Sequence, residues 1–388
     1  IADSPTAFHA VATTKQMLLD AGFLQLPENT HWDLKPSGNY FVTRNDSALI
    51  AFTVPADGFS SVRILASHSD SPCFKIKESP ELETSSHYIR LNVEGYGGML
   101  CAPWADRPLS VAGRIVIKDP DTGAFMAKLV NIPRDLLMIP SLAIHMNREA
   151  NKGQSYNIQK DLLPLYGGME AKDTFFHEVA AAAGVREDEI LGHDLFLYNR
   201  EPGCIWGAGH EFISCGRLDD LQCAFASLKG FLSAKREQTL SMHCVFDNEE
   251  VGSATKQGAA STFLYDTLTR IHEVLGYSRE DYRIHLADSM MISADNAHAV
   301  HPNYPDKADP SNRPYLNGGI VIKYNANQKY CTDAVSAAMF CDLCTQADIP
   351  VQTFANRSDL AGGSTLGNIS NTKVALNTVD IGLPQLAM

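Results

Sequence analysis

From Gly216 onward, the sequence alternates between short apolar runs and longer segments with the 3.6-residue periodicity of helices. Such alternation is typical of an α/β sheet that carries helices on both faces. The predicted strands are 240–247, 283–290, 319–324, 351–356 and 373–381, and the predicted helices are 218–234, 253–276 and 332–345. Because functional groups in these sheets follow the carboxyl ends of strands, the residues just after the apolar runs are the first candidates for a site.

The beginning of the chain fits the same fold, whereas its middle does not. A helix is predicted from Ser4, a good N-cap residue, to about Asp20, followed by strands at 39–44, 48–54 and 62–67. The middle instead has short strands with frequent turn residues, at 89–95, 111–119 and 123–132, and one helix at 174–183. We therefore predict an α/β fold, with an α/β/α sandwich domain formed by 1–72 and 206–388 and an inserted β-rich domain at 73–205.

Composition narrows the class of protein. The 388 residues include 32 Lys and Arg against 45 Asp and Glu, a net charge of -13, which disfavours nucleic acid as a partner. The 9 cysteines have no regular spacing, which favours a reducing compartment and hence the cytoplasm. We find no signal-peptide pattern and no apolar run of the roughly 20 residues that would cross a membrane.

Histidine and carboxylate side chains recur where strands end or helices begin. His68 and Asp70 follow one predicted strand, and the pair Glu249 and Glu250 follows another; Asp219 opens a helix, and Asp295 comes a few residues after 283–290. Imidazole with carboxylate suits zinc, and also manganese or cobalt. The carboxylates outnumber those of a usual mononuclear zinc site, so we predict two metals that share a bridging acid.

The adjacent acids Glu249 and Glu250 allow a division of tasks. One carboxylate can ligate a metal while the other accepts the proton of the attacking water. Asp70 can hold the second ring nitrogen of His68. Each feature alone also has a structural interpretation, since an acidic run at a helix start is favoured by the helix dipole. Their combination in one predicted sheet favours the metal site.

Eight segments together resemble the aspartyl aminopeptidase family, in order and in length, over nearly the whole chain. They are 68–78, 96–117, 142–149, 217–228, 247–253, 293–304, 319–330 and 383–388. Members of this family are dinuclear metallopeptidases that remove an acidic residue from the N-terminus of a peptide. Vacuolar aminopeptidase I is a relative that prefers neutral residues.

The resemblance implies a role for each residue of the metal site. His68 and Asp295 would ligate one metal, Asp219 would bridge both, and Glu250 would ligate the second. Glu249 would be the general base for a water held between two divalent ions, most simply zinc, with manganese or cobalt as alternatives. Asp70 would orient His68. The family pattern continues past Met388 with a His for the second metal, so within this sequence that metal has only Asp219 and Glu250.

The resemblance also implies residues for substrate and assembly. Lys323 would face the carboxylate of an acidic substrate, and Tyr330 would polarise the scissile carbonyl or hold the tetrahedral oxyanion. Apart from the resemblance, the glycine-rich segment 358–367, with Gly362 and Gly363, either brings main chain close to the substrate or forms a tight turn before a helix. His145 would enter the active site of a neighbouring subunit. The family assembly is a tetrahedral dodecamer, in which the β-rich segment would pair subunits and the substrates would be peptides with a free N-terminus.

The sequence thus predicts a metal-dependent aminopeptidase that releases N-terminal Asp or Glu. Three alternatives stay open. The same chemistry could act on neutral, Leu-like residues. The chain could instead be another dinuclear hydrolase, such as a deacylase, since such enzymes have the same kind of sheet and the same kinds of metal ligand. A non-catalytic assembly protein could retain a relict metal site.

Overall fold

The computed structural model describes residues 1–234 and 238–388. These residues divide into two compact units. The first unit contains residues 1, 10–70 and 217–388, and the second contains 2–9 and 71–216.

The described residues contain both helices and strands, which confirms the α/β prediction. The helices are α1 (Ala7–Asp20), α2 (Ile158–Asp161), α3 (Phe175–Ala183), α4 (Leu218–Ser233), α5 (Phe263–Val274), α6 (Arg279–Ala287), α7 (Ala334–Gln346) and α8 (Leu366–Ser370). Among the residues described, none of these helices combines the length and apolar character needed to span a bilayer.

The strands are β1 (Leu24–Gln25), β2 (Asn39–Arg44), β3 (Ala48–Thr53), β4 (Val62–His68), β5 (Cys73–Thr84), β6 (Tyr88–Tyr96), β7 (Leu109–Lys118), β8 (Phe125–Asn131), β9 (Leu165–Gly168), β10 (Gly192–Asn199), β11 (Cys204–Trp206), β12 (Phe212–Ser214), β13 (Leu240–Phe246), β14 (Met290–Ala294), β15 (Ala297–His298), β16 (Ile320–Tyr324), β17 (Val351–Ala355), β18 (Asn377–Gly382) and β19 (Pro384–Gln385).

A nine-stranded sheet forms the centre of the first unit, in the order β1-β2-β3-β13-β4-β14-β18-β16-β17. Strand β4 pairs in parallel with both β13 and β14, and β14 pairs in parallel with β18. The carboxyl ends of four neighbouring strands therefore lie at one edge of the sheet.

Both faces of this sheet are covered. On one face, Ile50 and Phe52 of β3 pack with Phe263 and Leu268 of α5. On the other face, Leu49 of the same strand packs in a cluster that includes Leu18 of α1 and Phe231 of α4. All six residues of β3 are buried, as expected for a strand between two helical layers. This arrangement is the predicted α/β/α sandwich.

Three predicted elements were wrong in part, and one of them is the strand predicted at 373–381, which begins only at Asn377. The segment 283–290 was predicted as a strand, but α6 occupies it up to Ala287 and the strand begins at Met290. Ser278 starts this helix through a capping box, in which its hydroxyl accepts from the amide N–H of Asp281 and the Asp281 carboxylate accepts in return. The predicted helix 253–276 begins only at Phe263.

A tight turn explains the late start of α5. A Cβ on Gly258 would lie 2.2 Å from the carbonyl oxygen of Ser253, so the chain approaches itself closely at this glycine. Only glycine, which has no side chain, permits that approach, and this turn lies before the first residue of α5.

The second unit is built around a six-stranded antiparallel sheet in the order β8-β7-β10-β5-β6-β9. Its core includes Phe74, Val111 and Leu195 from the strands, together with Phe175 and Val179 from α3. The strand and helix predictions for 89–95, 111–119, 123–132 and 174–183 are confirmed by β6, β7, β8 and α3.

His243 on β13 predicts a pH dependence of stability. Its ring is fully buried, it stacks on Phe231 at a centroid distance of 5.9 Å, and burial lowers its pKa from 6.5 to about 3. Because folding lowers the pKa of His243, only the unfolded chain gains a proton here as the pH falls below 6.5. The folded protein therefore keeps its full stability above pH 6.5 and loses stability between pH 6.5 and about 3. We expect the free energy of unfolding of the wild type to fall by up to about 1.4 kcal/mol more per pH unit than that of His243→Leu.

Urea unfolding of both proteins between pH 7 and pH 5 measures this difference. His31→Leu, at an exposed histidine, is the matched control and should keep the wild-type slope. Equal slopes for wild type and His243→Leu would contradict the prediction.

Candidate metal centre

The neighbouring parallel strands β13, β4 and β14 end at one edge of the sheet, where several of the predicted site residues lie. His68 is the last residue of β4 and lies opposite Phe246, the last residue of β13. Glu249 and Glu250 follow β13 after a short turn, and Asp295 follows β14 directly. These residues therefore lie at strand ends, although His68 is the last residue of its strand and Asp295 follows β14 and not the strand predicted at 283–290.

Asp219 enters the same region from the start of α4. Arg217 has a left-handed backbone with φ of 62°, and Asp219 and Asp220 both depart from helical angles. The peptide bond between the two aspartates is cis. Asp219 is 8% exposed and Asp220 is fully buried, so both carboxylates point into the protein instead of lying on a solvated first turn.

His68 lies at the centre of these acids. Its Nε2 is 3.3 Å from Oδ1 of Asp219, 4.0 Å from Oδ2 of Asp220 and 4.0 Å from Oδ1 of Asp295. The main-chain N–H of His68 donates to Oδ2 of Asp220 at 3.0 Å. One imidazole nitrogen thus faces three carboxylates.

Asp70 connects His68 to the glutamate pair. Its main-chain oxygen lies 3.1 Å and its Oδ1 3.3 Å from Nδ1 of His68. The same carboxylate accepts the main-chain N–H groups of Glu249 at 3.2 Å and Glu250 at 3.1 Å. Asp70 therefore fixes both the imidazole ring and the turn that presents the two glutamates.

The carboxylates of this cluster have strongly shifted pKa values. Burial raises the pKa of Glu249 to about 7 and that of Glu250 to about 9. Burial likewise raises the pKa of Asp220 and of Asp295. For Asp219 burial acts in the same direction and is the largest single cause, but the hydrogen bond and charge of His68, together with the charge of Lys323 and the hydrogen bond from Gln385, outweigh it and lower the pKa. The cluster therefore contains more acidic groups than it can keep ionised at neutral pH without an added cation.

The donor set fits divalent metal. Ligand atoms of His68, Asp219, Asp220 and Asp295 all lie within 4.8 Å of one another, and so do those of His68, Glu249 and Glu250. Among the described residues, the buried atoms Oδ1 of Asp220 and Oε1 of Glu250 have no hydrogen-bond partner. Buried oxygens of this kind are costly unless a cation or donor meets them. Nitrogen and carboxylate oxygen are also the ligands that zinc accepts.

Two predicted substrate residues lie beside the acids. Lys323, on β16, is 3% exposed, and its Nζ lies 3.6 Å from Oδ2 of Asp295 and 5.4 Å from the ring centre of Tyr330. Burial alone would lower the lysine pKa, but Asp295 and the other nearby acids outweigh it and raise the pKa. Burial raises the pKa of Tyr330, so its hydroxyl is neutral at pH 7.

The remaining two predicted residues are in exposed segments. Gly363 belongs to an exposed loop after β17, and a Cβ at this position would meet no atom within 4 Å. His145 lies on an exposed turn of the second unit. Leu142, Ile144 and Met146, around this histidine, are also exposed.

Sequence reasoning missed three buried residues around the site. Asp220 accepts the main-chain N–H of His68, and Gln385 donates from Nε2 to Oδ2 of Asp219 at 2.7 Å. Asp380 accepts from the main-chain N–H of Cys331 at 2.6 Å and from the hydroxyl of Thr365 at 2.8 Å. The adjacent pair of aspartates at 219 and 220 was a visible signal, analogous to the glutamate pair. Gln385 and Asp380 carry no such local signal.

Comparison with known sequences places this chain in a family. The model of the family described as Aminopeptidase I zinc metalloprotease (M18) matches residues 1–388. A probable M18 family aminopeptidase 2 of Clostridium acetobutylicum is 47% identical over 395 residues, covering 100% of this chain and 91% of that protein. A protein of the same description from Pseudomonas aeruginosa is 41% identical over 396 residues, covering 99% and 90%.

Solved structures agree with the sequence comparison. The fold is similar to a chain in the cryo-EM structure of the Ape4 and Nbr1 complex, with a TM-score of 0.96 and 34% identity, covering 100% of this chain and 79% of that one. It is also similar to the S. cerevisiae mApe1 dodecamer, with a TM-score of 0.87 and 28% identity, covering 100% and 89%. Because the family model matches residues 1–388 and the relative from Clostridium acetobutylicum is 47% identical over the whole of this chain, the chain belongs to the M18 family of zinc metalloprotease aminopeptidases.

Proposed function

We propose that this aminopeptidase uses two divalent metal ions, most simply zinc, to remove acidic residues from the N-terminus of peptides. The observation that carries the proposal is the acidic cluster around His68 with Lys323 buried at its side. The two overlapping donor groups support a dinuclear site. In this proposal His68 and Asp295 would hold one ion, Glu250 would hold the other, and Asp219 would serve both.

Glu249 is the general base in this proposal. When bound, zinc polarises the scissile carbonyl and makes water acidic enough to react at neutral pH. Glu249 takes the proton of the water and passes it to the leaving amine, a role for which a pKa near neutrality is favourable. The contact of its main-chain N–H with Asp70 keeps the carboxylate at the site.

Tyr330 and Lys323 act on the substrate. The neutral Tyr330 hydroxyl donates a hydrogen bond to the oxygen of the scissile carbonyl as negative charge develops on it. The Lys323 ammonium attracts the side-chain carboxylate of an N-terminal Asp or Glu. Gly363, where no side chain blocks the loop, lets main chain approach the substrate.

One contact favours the alternative of a neutral first residue. Lys323 already lies 3.6 Å from Asp295, and an ammonium neutralised by that carboxylate would attract an acidic substrate less strongly. Lys323 binds the substrate carboxylate if the enzyme prefers acidic residues, and only pairs with Asp295 if it prefers neutral ones. Replacing Lys323 therefore distinguishes the two preferences.

Replacement of Lys323 by Met is expected to lower kcat/KM for peptides with N-terminal Asp or Glu by about 100-fold, because a charge-assisted hydrogen bond is lost. Release of N-terminal Leu from the matched peptide should change by less than about 3-fold. Initial rates on Asp, Glu and Leu peptides measure both effects, with bound metal measured in each sample. Lys329→Met, at an exposed lysine nearby, is the control. Equal losses on all three peptides, or faster wild-type release of Leu, would contradict acidic selection.

The assembly is the remaining part of the proposal. Residues 73–205 would form the oligomerisation domain of a tetrahedral dodecamer, with His145 reaching the active site of a neighbouring subunit. The dodecamer formed by the S. cerevisiae relative supports this, as do the exposed apolar side chains around His145. A cytoplasmic location is proposed from the irregular cysteine spacing.

A further inference from the structure

Three buried side chains form a hydrogen-bonded chain that ends on Asp219. The thiol of Cys223 lies 3.1 Å from Oδ1 of Asn296, and Nδ2 of Asn296 lies 3.1 Å from Oε1 of Gln385. Nε2 of Gln385 lies 2.7 Å from Oδ2 of Asp219. All four residues are less than 9% exposed.

The direction of these hydrogen bonds follows from the carboxylate at the end. An ionised Asp219 only accepts, so Gln385 must present its NH₂ group to it and its carbonyl oxygen to Asn296. Asn296 must then donate from its own NH₂ group, and its carbonyl oxygen is left for the thiol of Cys223. Only one orientation of both amides satisfies every contact.

This chain connects segments that carry the metal-site acids. Asn296 directly follows Asp295 at the end of β14, and Cys223 lies one helical turn after Asp219 on α4. Gln385 is held by the pairing of β19 with β15, where the main-chain N–H of Ala299 also donates to its main-chain carbonyl oxygen at 2.8 Å. The amide of Gln385 is therefore positioned by main-chain contacts before it meets the carboxylate.

We propose that Gln385, supported by Asn296, is a positioning residue for metal binding at Asp219, an inference that rests on the proposed function. With Oδ2 engaged by the amide, the carboxylate cannot rotate freely, and Oδ1 faces Nε2 of His68 at 3.3 Å. Partners of metal ligands commonly change metal affinity by about 10- to 100-fold. A neutral amide orients Asp219 without adding negative charge to a cluster already rich in acids.

Zinc affinity, measured on the whole chain by competition with a chromophoric chelator at pH 7, tests this inference. Gln385→Met preserves length and apolar volume but removes both hydrogen bonds, and we expect it to raise the zinc Kd by about 10- to 100-fold. Asn296→Ala leaves Gln385 with one partner and should give a smaller increase. Both substitutions act through the side-chain amide of Gln385. The increase in zinc Kd of the double variant should therefore not exceed the product of the two single increases. Gln346→Met, at an exposed glutamine of α7, is the matched control.

Circular dichroism of each metal-free variant establishes that it is folded before zinc is added. Wild-type zinc affinity in folded Gln385→Met would overturn the inference and leave the proposed function intact. Should Gln385→Met fail to fold, Asn296→Ala decides in the same way: weaker binding supports the inference, and unchanged binding overturns it. A folded wild type that binds no zinc would instead overturn the proposed function.

Discussion

Replacement of Glu249 by Gln is expected to lower kcat by about 10³-fold while leaving bound zinc unchanged. The amide is nearly isosteric with the carboxylate, so the contact of the main-chain N–H with Asp70 should persist. The amide cannot accept a proton from the water, so the fall in kcat measures the loss of this proton transfer. Steady-state rates on an N-terminal Asp peptide, with zinc per chain measured by atomic spectroscopy, provide both quantities.

The control for this change is Glu273→Gln, at an exposed glutamate of α5. It removes the same charge far from the acidic cluster along the chain and should keep full activity. If Glu249→Gln retained more than about a tenth of wild-type kcat, another residue would have to be the base. A loss of zinc together with the rate would assign Glu249 to metal binding instead.

Replacement of Asp219 by Ala is expected to have a different signature, namely loss of both zinc and activity. Asp219 is proposed to serve both ions, and its carboxylate is the one nearest to Nε2 of His68. Without a shared acid, the site loses several kcal/mol of charge stabilisation, and kcat/KM should fall by about 10³-fold or more. Asp57→Ala, at an exposed turn, is the matched control.

Added zinc distinguishes weaker binding from lost chemistry in Asp219→Ala. We expect millimolar zinc to restore less than about a hundredth of wild-type activity, because a displaced ion would not be in the proposed geometry. Full recovery at high zinc would show that Asp219 contributes affinity alone and does not bridge. Wild-type zinc content in the variant would remove Asp219 from the ligand set.

The sheet and the positions of the candidate ligands were predictable because both depend on local patterns. Runs of buried apolar residues mark β4 and β13, and parallel strands bring the residues after their carboxyl ends to one edge of the sheet. The segment 283–290 failed because its apolar residues fit either state, and the cap at Ser278 was the overlooked signal for α6. The late start of α5 depends on the close approach at Gly258, which is a three-dimensional contact.

The residues that support the candidate ligands were not predictable in the same way. Asp220 meets the main-chain N–H of His68 across 152 positions of sequence, and Gln385 meets Asp219 across 166. A glutamine in a short strand has no periodicity or spacing that points to a carboxylate so distant in sequence. These contacts exist only once the sheet has formed, so the structure is required to find them.

Metal-dependent hydrolysis at the cluster around His68 is tested most directly by a zinc titration of the chelator-stripped chain, with bound zinc and release of N-terminal Asp measured on the same samples. We expect almost no release without metal, and a rate that rises with bound zinc to a plateau at two ions per chain. Release that is unchanged by stripping, or that does not follow bound zinc, would contradict hydrolysis by metal at this cluster.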